Sequence, residues 1–390
     1  MKTTLTAFAL FVSVALFADV DTGRLQADYP HWNLTNPNTT VKLAMIDDFI
    51  STYKGNDYLA GFDWDGTLYC EKITMNELPP TAPGGNIYGG QSGFYLWGAC
   101  NKDKFTTFKI FPTFDTSDDQ FKNDVIQKVQ TVEGKLNDGM QNTSVPPVMP
   151  TAPFPAYNAD GISKFSLETT MMLVGMTPDQ LATAEKEYFK NYNPAQYAFL
   201  PMFDVLQKMC DSDFNVWIIT GSSPYFVTNM LDYLDDNVIY KDGKTYDFSR
   251  IIISPDGKYD PAQSHLAGNG TKLTKEGTFS TVYDSRNLNN PYLVNNNLLF
   301  ITDKQGKYVV INNIESNKST KCAFIASNTD GDLYDTSYCL QGSQLTPNTF
   351  AICVAPPTTS QIYSYLQKFP NNSTILTMSE AYPQPIPKAN

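Results

Sequence analysis

The run Tyr58-Leu59-Ala60-Gly61-Phe62 passes without a break into Asp63-Trp64-Asp65-Gly66-Thr67-Leu68. A short apolar run of this kind suits a buried strand. Ending it in a carboxylate and a glycine turn suits an open α/β sheet, where ligands bind beyond the carboxyl ends of the strands. Gly66 lets the chain turn sharply. Asp63 and Asp65 then lie close enough to share a divalent cation, one through its side chain and the other through its backbone carbonyl, while Thr67 offers a hydroxyl. The plainer alternative is a strand end followed by an acidic turn.

Further along, apolar residues at Leu200, Phe203, Val205, Leu206 and Met209 predict an amphipathic helix over Leu200 to Cys210. Phe214 to Thr220 reads as a buried strand, and Ile251-Ile252-Ile253, Leu298 to Ile301 and Cys322 to Ala326 supply further short apolar runs. This alternation predicts an α/β fold, a Rossmann-like parallel sheet covered by helices, with Asp63, Thr220 and Asn328 at strand carboxyl ends. Residues 70–199 differ in character, being rich in Pro, Gly, Tyr and Phe, with five prolines between Val145 and Ala156. Within them Thr177-Pro178-Asp179-Gln180 carries the signature of a capped helix start. The expected division is a core of residues 19–69 and 200–338, a cap insertion of 70–199, and an extension of 339–390 with a peripheral helix at Ile362 to Phe369.

The chain opens with Lys2, an apolar run from Ala7 to Phe17 and small residues at Ser13, Ala15 and Ala18. This reads as a signal peptide over residues 1–18 and predicts secretion, with a retained anchor as the alternative. No other run of about 18 apolar residues follows, so no stable membrane anchor is expected. Sequons at Asn33, Asn38, Asn142, Asn269, Asn317, Asn371 and Asn372 suit that route. Six cysteines also suit an oxidising compartment. Cys339 with Cys353 and Cys70 with Cys100 are plausible bridges, and each cysteine is equally readable as a buried thiol. Two histidines and no CxxC argue against a zinc site or a histidine-based triad. A net charge of −12 without a basic cluster argues against nucleic acid or anionic membrane as the main partner. It is compatible with an anionic phosphate, because a metal ion and one lysine can reverse the local field.

Phe62-Asp63-Trp64-Asp65-Gly66-Thr67-Leu68 resembles the first motif of the haloacid dehalogenase superfamily. In that resemblance Asp63 is a nucleophile toward phosphorus, and Asp65 the acid/base that protonates the leaving oxygen and then activates water. Val216-Trp217-Ile218-Ile219-Thr220-Gly221-Ser222-Ser223-Pro224 is similar to the second motif, where the Thr220 hydroxyl and the amides from Gly221 onward hold phosphate oxygens. Gly306-Lys307-Tyr308-Val309-Val310-Ile311 resembles the third, making Lys307 the charge-neutralising lysine, with Lys304 and Lys321 as rivals. Ala326-Ser327-Asn328-Thr329-Asp330-Gly331-Asp332 aligns with the fourth, with Asn328 where relatives carry a metal-binding aspartate and Asp332 at the second acidic position. An alternative register uses Asp330 and Asp335 as the acidic pair.

Leu173-Val174-Gly175-Met176-Thr177-Pro178 resembles a cap segment of the phosphoserine-phosphatase-like branch. Tyr29-Pro30-His31-Trp32, with Val41 to Ile50, is similar to the lead-in of secreted bacterial phosphorylcholine phosphatases. The resemblance implies a secreted phosphomonoesterase acting on a small organic phosphate, with an amino-alcohol or choline phosphate among the candidates. It implies Mg²⁺ held by Asp63, Asp65, Asn328 and Asp332, and phosphate oriented by Thr67, Thr220 and Gly221. Two alternatives remain open: a binding protein of the same fold weakened by the amide at Asn328, and a phosphotransferase. The tryptophans Trp32, Trp64, Trp97 and Trp217 read either as core or as an aromatic cage for a quaternary ammonium.

Overall fold

The computed structural model describes residues 20–70, 72–74, 86–88, 90, 91, 94, 173, 175–254, 257–260, 263–283, 302, 304–342 and 348–382. In chain order the main elements are helices α1 (Thr22–Asp28) and α2 (Pro37–Tyr53), strand β1 (Leu59–Phe62), helices α3 (Pro178–Asn191) and α4 (Leu200–Asp211), and strand β2 (Asn215–Ile219). Helix α5 (Pro224–Asn237), strand β3 (Leu266–Ala267), helix α6 (Gln305–Lys318), strand β4 (Cys322–Ser327) and helix α7 (Leu333–Ser337) follow. Strand β5 (Phe350–Val354), helix α8 (Gln361–Leu366), strand β6 (Ser373–Leu376) and helix α9 (Met378–Ala381) complete them.

Six strands form one parallel sheet in the order β6-β5-β4-β1-β2-β3. The architecture is therefore the expected α/β one. Its strands read as nearly continuous apolar runs because both faces are covered. Ala60, Phe62, Val216, Ile218, Phe324 and Ala326 join one apolar cluster with side chains of α2, α4 and α5. Leu59, Trp217, Ile219 and Ile325 point the other way, into a second cluster with Tyr308 to Ile311 of α6 and Ile362 of α8. This alternation is the period of two that a strand imposes, broken in β4 where Ala323 and Phe324 both join the first cluster beside the register shift with β1.

Three expectations change. Ile251 and Ile252 are not a strand: both amides donate to the Phe248 carbonyl, at 2.8 and 2.9 Å, closing a turn. The edge position beside β2 goes instead to the two-residue β3, paired through Leu266 and Ala267. The sheet also does not stop near residue 338, since β5 and β6 continue it beyond β4 and lie within the stretch expected to be a peripheral extension. The capped start of α3 is as expected, with Thr177 and Gln180 exchanging side-chain to backbone bonds.

Cys339 and Cys353 are not bridged. Both are buried thiols with no disulfide. The Cys70–Cys100 pairing involves Cys100, outside the described residues, as are the leader, Asn142, Trp97 and Leu298 to Ile301. Among the described residues no helix is long and apolar enough to cross a membrane.

Candidate active site

Register explains why the site forms where it does. Phe62 lies level with Ile218 on one side and Ala326 on the other, so the residues just beyond these three emerge together at one edge of the sheet. Asp63 remains tied to β4, its amide donating to the Ala326 carbonyl at 2.9 Å, and Thr220 is tied to β3 through the Ala267 carbonyl at 2.9 Å. The chain then reverses at Gly66, whose φ of 80° lies in the left-handed region. A side chain is also excluded there by space, because a Cβ on Gly66 would stand 1.7 Å from Nδ2 of Asn328. The Asn328 amide thus rests directly on the Asp65-Gly66-Thr67 turn.

Both oxygens of the Asp63 carboxylate are held. Oδ2 accepts from the Thr67 hydroxyl at 3.0 Å, and Oδ1 from Nζ of Lys307 at 2.5 Å. Lys307 lies in the first turn of α6, buried, and its ammonium also reaches Oδ1 of Asp332 at 2.5 Å. Its rivals are placed elsewhere: Lys304 precedes α6 as its N-cap residue, and Lys321 faces Glu315 at 3.8 Å. Asp332 spends its second oxygen on the amides of Asn328 and Thr329, at 3.0 and 3.2 Å. It therefore acts as counter-ion to Lys307 and clamps the turn after β4. In the alternative register, Asp330 turns away to accept from the Ile362 amide at 2.8 Å, and Asp335 is buried.

Asp65 is partly buried, and its Oδ2 accepts from the hydroxyls of Ser222 at 2.9 Å and Thr220 at 3.3 Å. The turn Gly221-Ser222-Ser223 after β2 is closed by the Ser222 amide donating to the Thr220 hydroxyl at 2.9 Å. Sequence reasoning missed Ser222 as a partner of Asp65, although its place in a hydroxyl-rich turn after a strand was a usable signal. It also missed Asn269. That residue is buried, donates from Nδ2 to the Gly221 carbonyl at 2.7 Å and accepts from the Thr302 amide at 2.8 Å. The sequon at Asn269 is therefore no glycan acceptor, since the nitrogen a sugar would take is buried in the site's own scaffold.

Charge is unbalanced here. Among the described residues, Asp63, Asp332 and Asp335 are buried around a single buried ammonium, Lys307. Burial, with Asp332's carboxylate beside it, pushes Asp63 up to about 8 against the pull of Lys307. Burial and Asp332 likewise hold Asp335 well above the usual carboxylate range. Lys307 is held well above the ordinary lysine value by Asp332 and Asp63, which outweigh its burial. A surplus of buried carboxylate fits a site that takes a cation. Among the described residues no three His, Cys, Asp or Glu side chains are arranged around one metal position. Of the expected ligands, Asp63 and Asn328 border the same turn, whereas Asp332 is taken up by Lys307 and the Asn328 and Thr329 amides.

The described tryptophans do not form a cage. Trp32 is buried with Nε1 donating to the Pro201 carbonyl at 2.8 Å, Trp64 stacks on Tyr69 with centroids 5.5 Å apart, and Trp217 stacks on His265 at 4.6 Å.

No family model matches the chain, and no curated protein does. Solved structures that it resembles include a conserved functionally unknown protein from Anaerococcus prevotii DSM 20548, with 10% identity, 86% of this chain and 90% of that one covered, and a TM-score of 0.44. A phosphoserine phosphohydrolase-like protein from Francisella tularensis subsp. tularensis SCHU S4 has 13% identity, coverage of 83% and 95%, and a TM-score of 0.39. Cytosolic 5'-nucleotidase IIIB bound to cytidine has 10% identity, coverage of 90% and 91%, and a TM-score of 0.31. Overlays this loose locate no function.

Proposed function

We propose that the chain is a secreted phosphomonoesterase of the haloacid dehalogenase type, hydrolysing a small organic phosphate through a phosphorylated Asp63. The observation that carries this reading is the paired placement of two carboxylates. Asp63 is fixed by Thr67 and Lys307, and Asp65 is fixed by the hydroxyls of the facing turn. One is oriented as a nucleophile and the other stands beside it to move a proton.

In the first half-reaction an Asp63 oxygen bonds to phosphorus as the ester P–O bond breaks, and Asp65 gives its proton to the departing alkoxide. In the second, Asp65 takes a proton from water as that water attacks phosphorus, releasing phosphate and restoring the Asp63 carboxylate. Lys307 balances the charge that gathers on Asp63 and the transferred group. Thr220 and the Gly221 turn orient the phosphate oxygens. Asp63, the Asp65 carbonyl and Asn328 would hold Mg²⁺, which when bound supplies positive charge at the phosphoryl oxygens. An amide at Asn328 keeps an oxygen donor but removes one negative charge, so weaker Mg²⁺ binding than with a carboxylate at that position is expected.

Secretion rests on the leader-like residues 1–18. An amino-alcohol or choline phosphate is the substrate class that the lead-in resemblance suggests. The test is turnover of an aryl phosphate with Mg²⁺, comparing the wild type with Asp63→Asn. Equal rates in the two proteins would end the proposal.

A further inference from the structure

Helix α5 starts directly after the turn that faces Asp65, yet its N-cap residue Ser223 makes no side-chain cap bond. The Ser223 amide donates instead to Oε1 of Gln91, at 2.6 Å. Gln91 belongs to the long insertion between β1 and β2, not to the strands and helices of the core. It is buried, and the Phe94 amide donates back to the Gly90 carbonyl at 3.0 Å, the bond spacing of a helical turn. Residues three apart on such a turn share a face. Phe94 is fully buried, its ring 5.9 Å from Phe226 and 5.7 Å from Tyr188 of α3. Phe226 in turn lies three residues beyond Ser223. Gln91 and Phe94 therefore meet the first turn of α5 at two matched points, a polar one (Gln91 to Ser223) and an aromatic one (Phe94 to Phe226).

Each residue of the turn is held differently. Gly221 is held by Asn269, and Ser222 by its bonds to Thr220 and Asp65. Ser223 is held by Gln91. Close packing leaves the turn little freedom on its far side, since a Cβ at Gly268 would stand 2.4 Å from the Ser222 carbonyl oxygen. Moving Ser223 must therefore move Ser222, and with it the hydroxyl that orients Asp65.

We propose that Gln91 is a positioning residue: it latches the insertion to the turn at 221–223 and so sets the orientation of the acid/base Asp65. This rests on the phosphatase reading for its catalytic consequence but not for the latch itself. Gln91→Glu keeps the accepting oxygen, whereas Gln91→Ala removes it.

The experiment combines hydrogen exchange, followed by mass spectrometry on the peptide containing Ser223, with steady-state turnover of an aryl phosphate across pH in the presence of Mg²⁺. For Gln91→Ala the Ser223 amide should exchange at least about tenfold faster, and kcat should fall about tenfold with KM changed less. Gln91→Glu should retain the protection and most of kcat. Unchanged exchange in Gln91→Ala would overturn the latch. If Gln91→Ala loosens the whole chain, Gln91→Glu decides: protection at Ser223 supports the proposal and its loss overturns it. Absence of turnover in the wild type would instead count against the phosphatase reading, while the exchange measurement still tests the latch.

Discussion

Replacing Lys307 by Met removes the one ammonium buried among the site carboxylates and keeps most of the side-chain volume. Nζ lies 2.5 Å from both Asp63 and Asp332, and the three side chains are 6%, 4% and 2% exposed, so water cannot take over the lost interaction. Removing one partner of such a buried pair costs about 3–5 kcal/mol, because it leaves uncompensated charge behind. That is a large part of the roughly 5–15 kcal/mol that holds a domain folded. The sign of the pH dependence follows from Asp63. Its carboxyl is already raised from 3.8 to about 8, and losing Lys307 raises it further. Below about pH 8 wild type and variant both hold this proton when folded and lose stability in parallel as pH rises; above it only the variant keeps the proton, so the variant's deficit relative to the wild type grows mainly above about pH 8. Urea denaturation of the wild type, Lys307→Met, Asp332→Asn and the double variant measures all of this. The double variant should recover about 1–3 kcal/mol relative to additivity, since one of the two stranded charges is gone. A loss below about 1 kcal/mol in Lys307→Met, or strict additivity with Asp332→Asn, would refute the reasoning.

Thr67→Val removes a buried hydroxyl that donates to Asp63 at 3.0 Å, and should lower kcat/KM for an aryl phosphate by about 10- to 100-fold with a native-like circular dichroism spectrum. Gly66→Ala places a methyl 1.7 Å from the Asn328 amide at a φ of 80°; a loss of about 1–3 kcal/mol in denaturant is expected, and adding Asn328→Ala should relieve the clash but not the backbone strain. His265 is pushed down from 6.5 to about 4, first by burial and then by the Lys318 charge, whose Nζ lies 2.8 Å from its Nε2. Its folded value is below its unfolded one, so this contribution is complete above about pH 6.5 and lost as pH falls toward 4, by up to about 3 kcal/mol; His265→Gln should flatten that part of the stability–pH curve.

What the sequence disclosed was the chemistry carried by short contiguous patterns. The strand into Asp63, the strand into Thr220 and the strand into Asn328 were legible because a buried parallel strand needs an unbroken apolar run and its polar successor stands out. Lys307 was separable from Lys304 and Lys321 only through the residues that follow it, and it is the one the fold buries beside Asp63. Groups that act through a single long-range bond were not legible. Nothing local marks Asn269 as a clamp on Gly221, and its sequon pointed toward solvent. Gln91 likewise sits in a Gly-rich stretch with no pattern of its own. The turn at Ile251 and the two-residue strand β3 show the same limit, since apolar identity alone does not say which short run wins the sheet edge. Cysteine parity misled in the pairing of Cys339 with Cys353, because both serve as buried apolar side chains.

The most direct measurement is to trap the covalent intermediate. The protein is mixed with a radiolabelled phosphate ester and Mg²⁺, quenched in acid, reduced with borohydride and digested, and the peptide spanning residue 63 is sequenced by mass spectrometry. Phosphorylation of Asp63 should appear as a phosphate label in the untreated peptide and as homoserine at position 63 after reduction, with neither in Asp63→Asn. A wild type that turns over the ester while leaving Asp63 unmodified, or an Asp63→Asn variant that keeps its rate, would contradict the account.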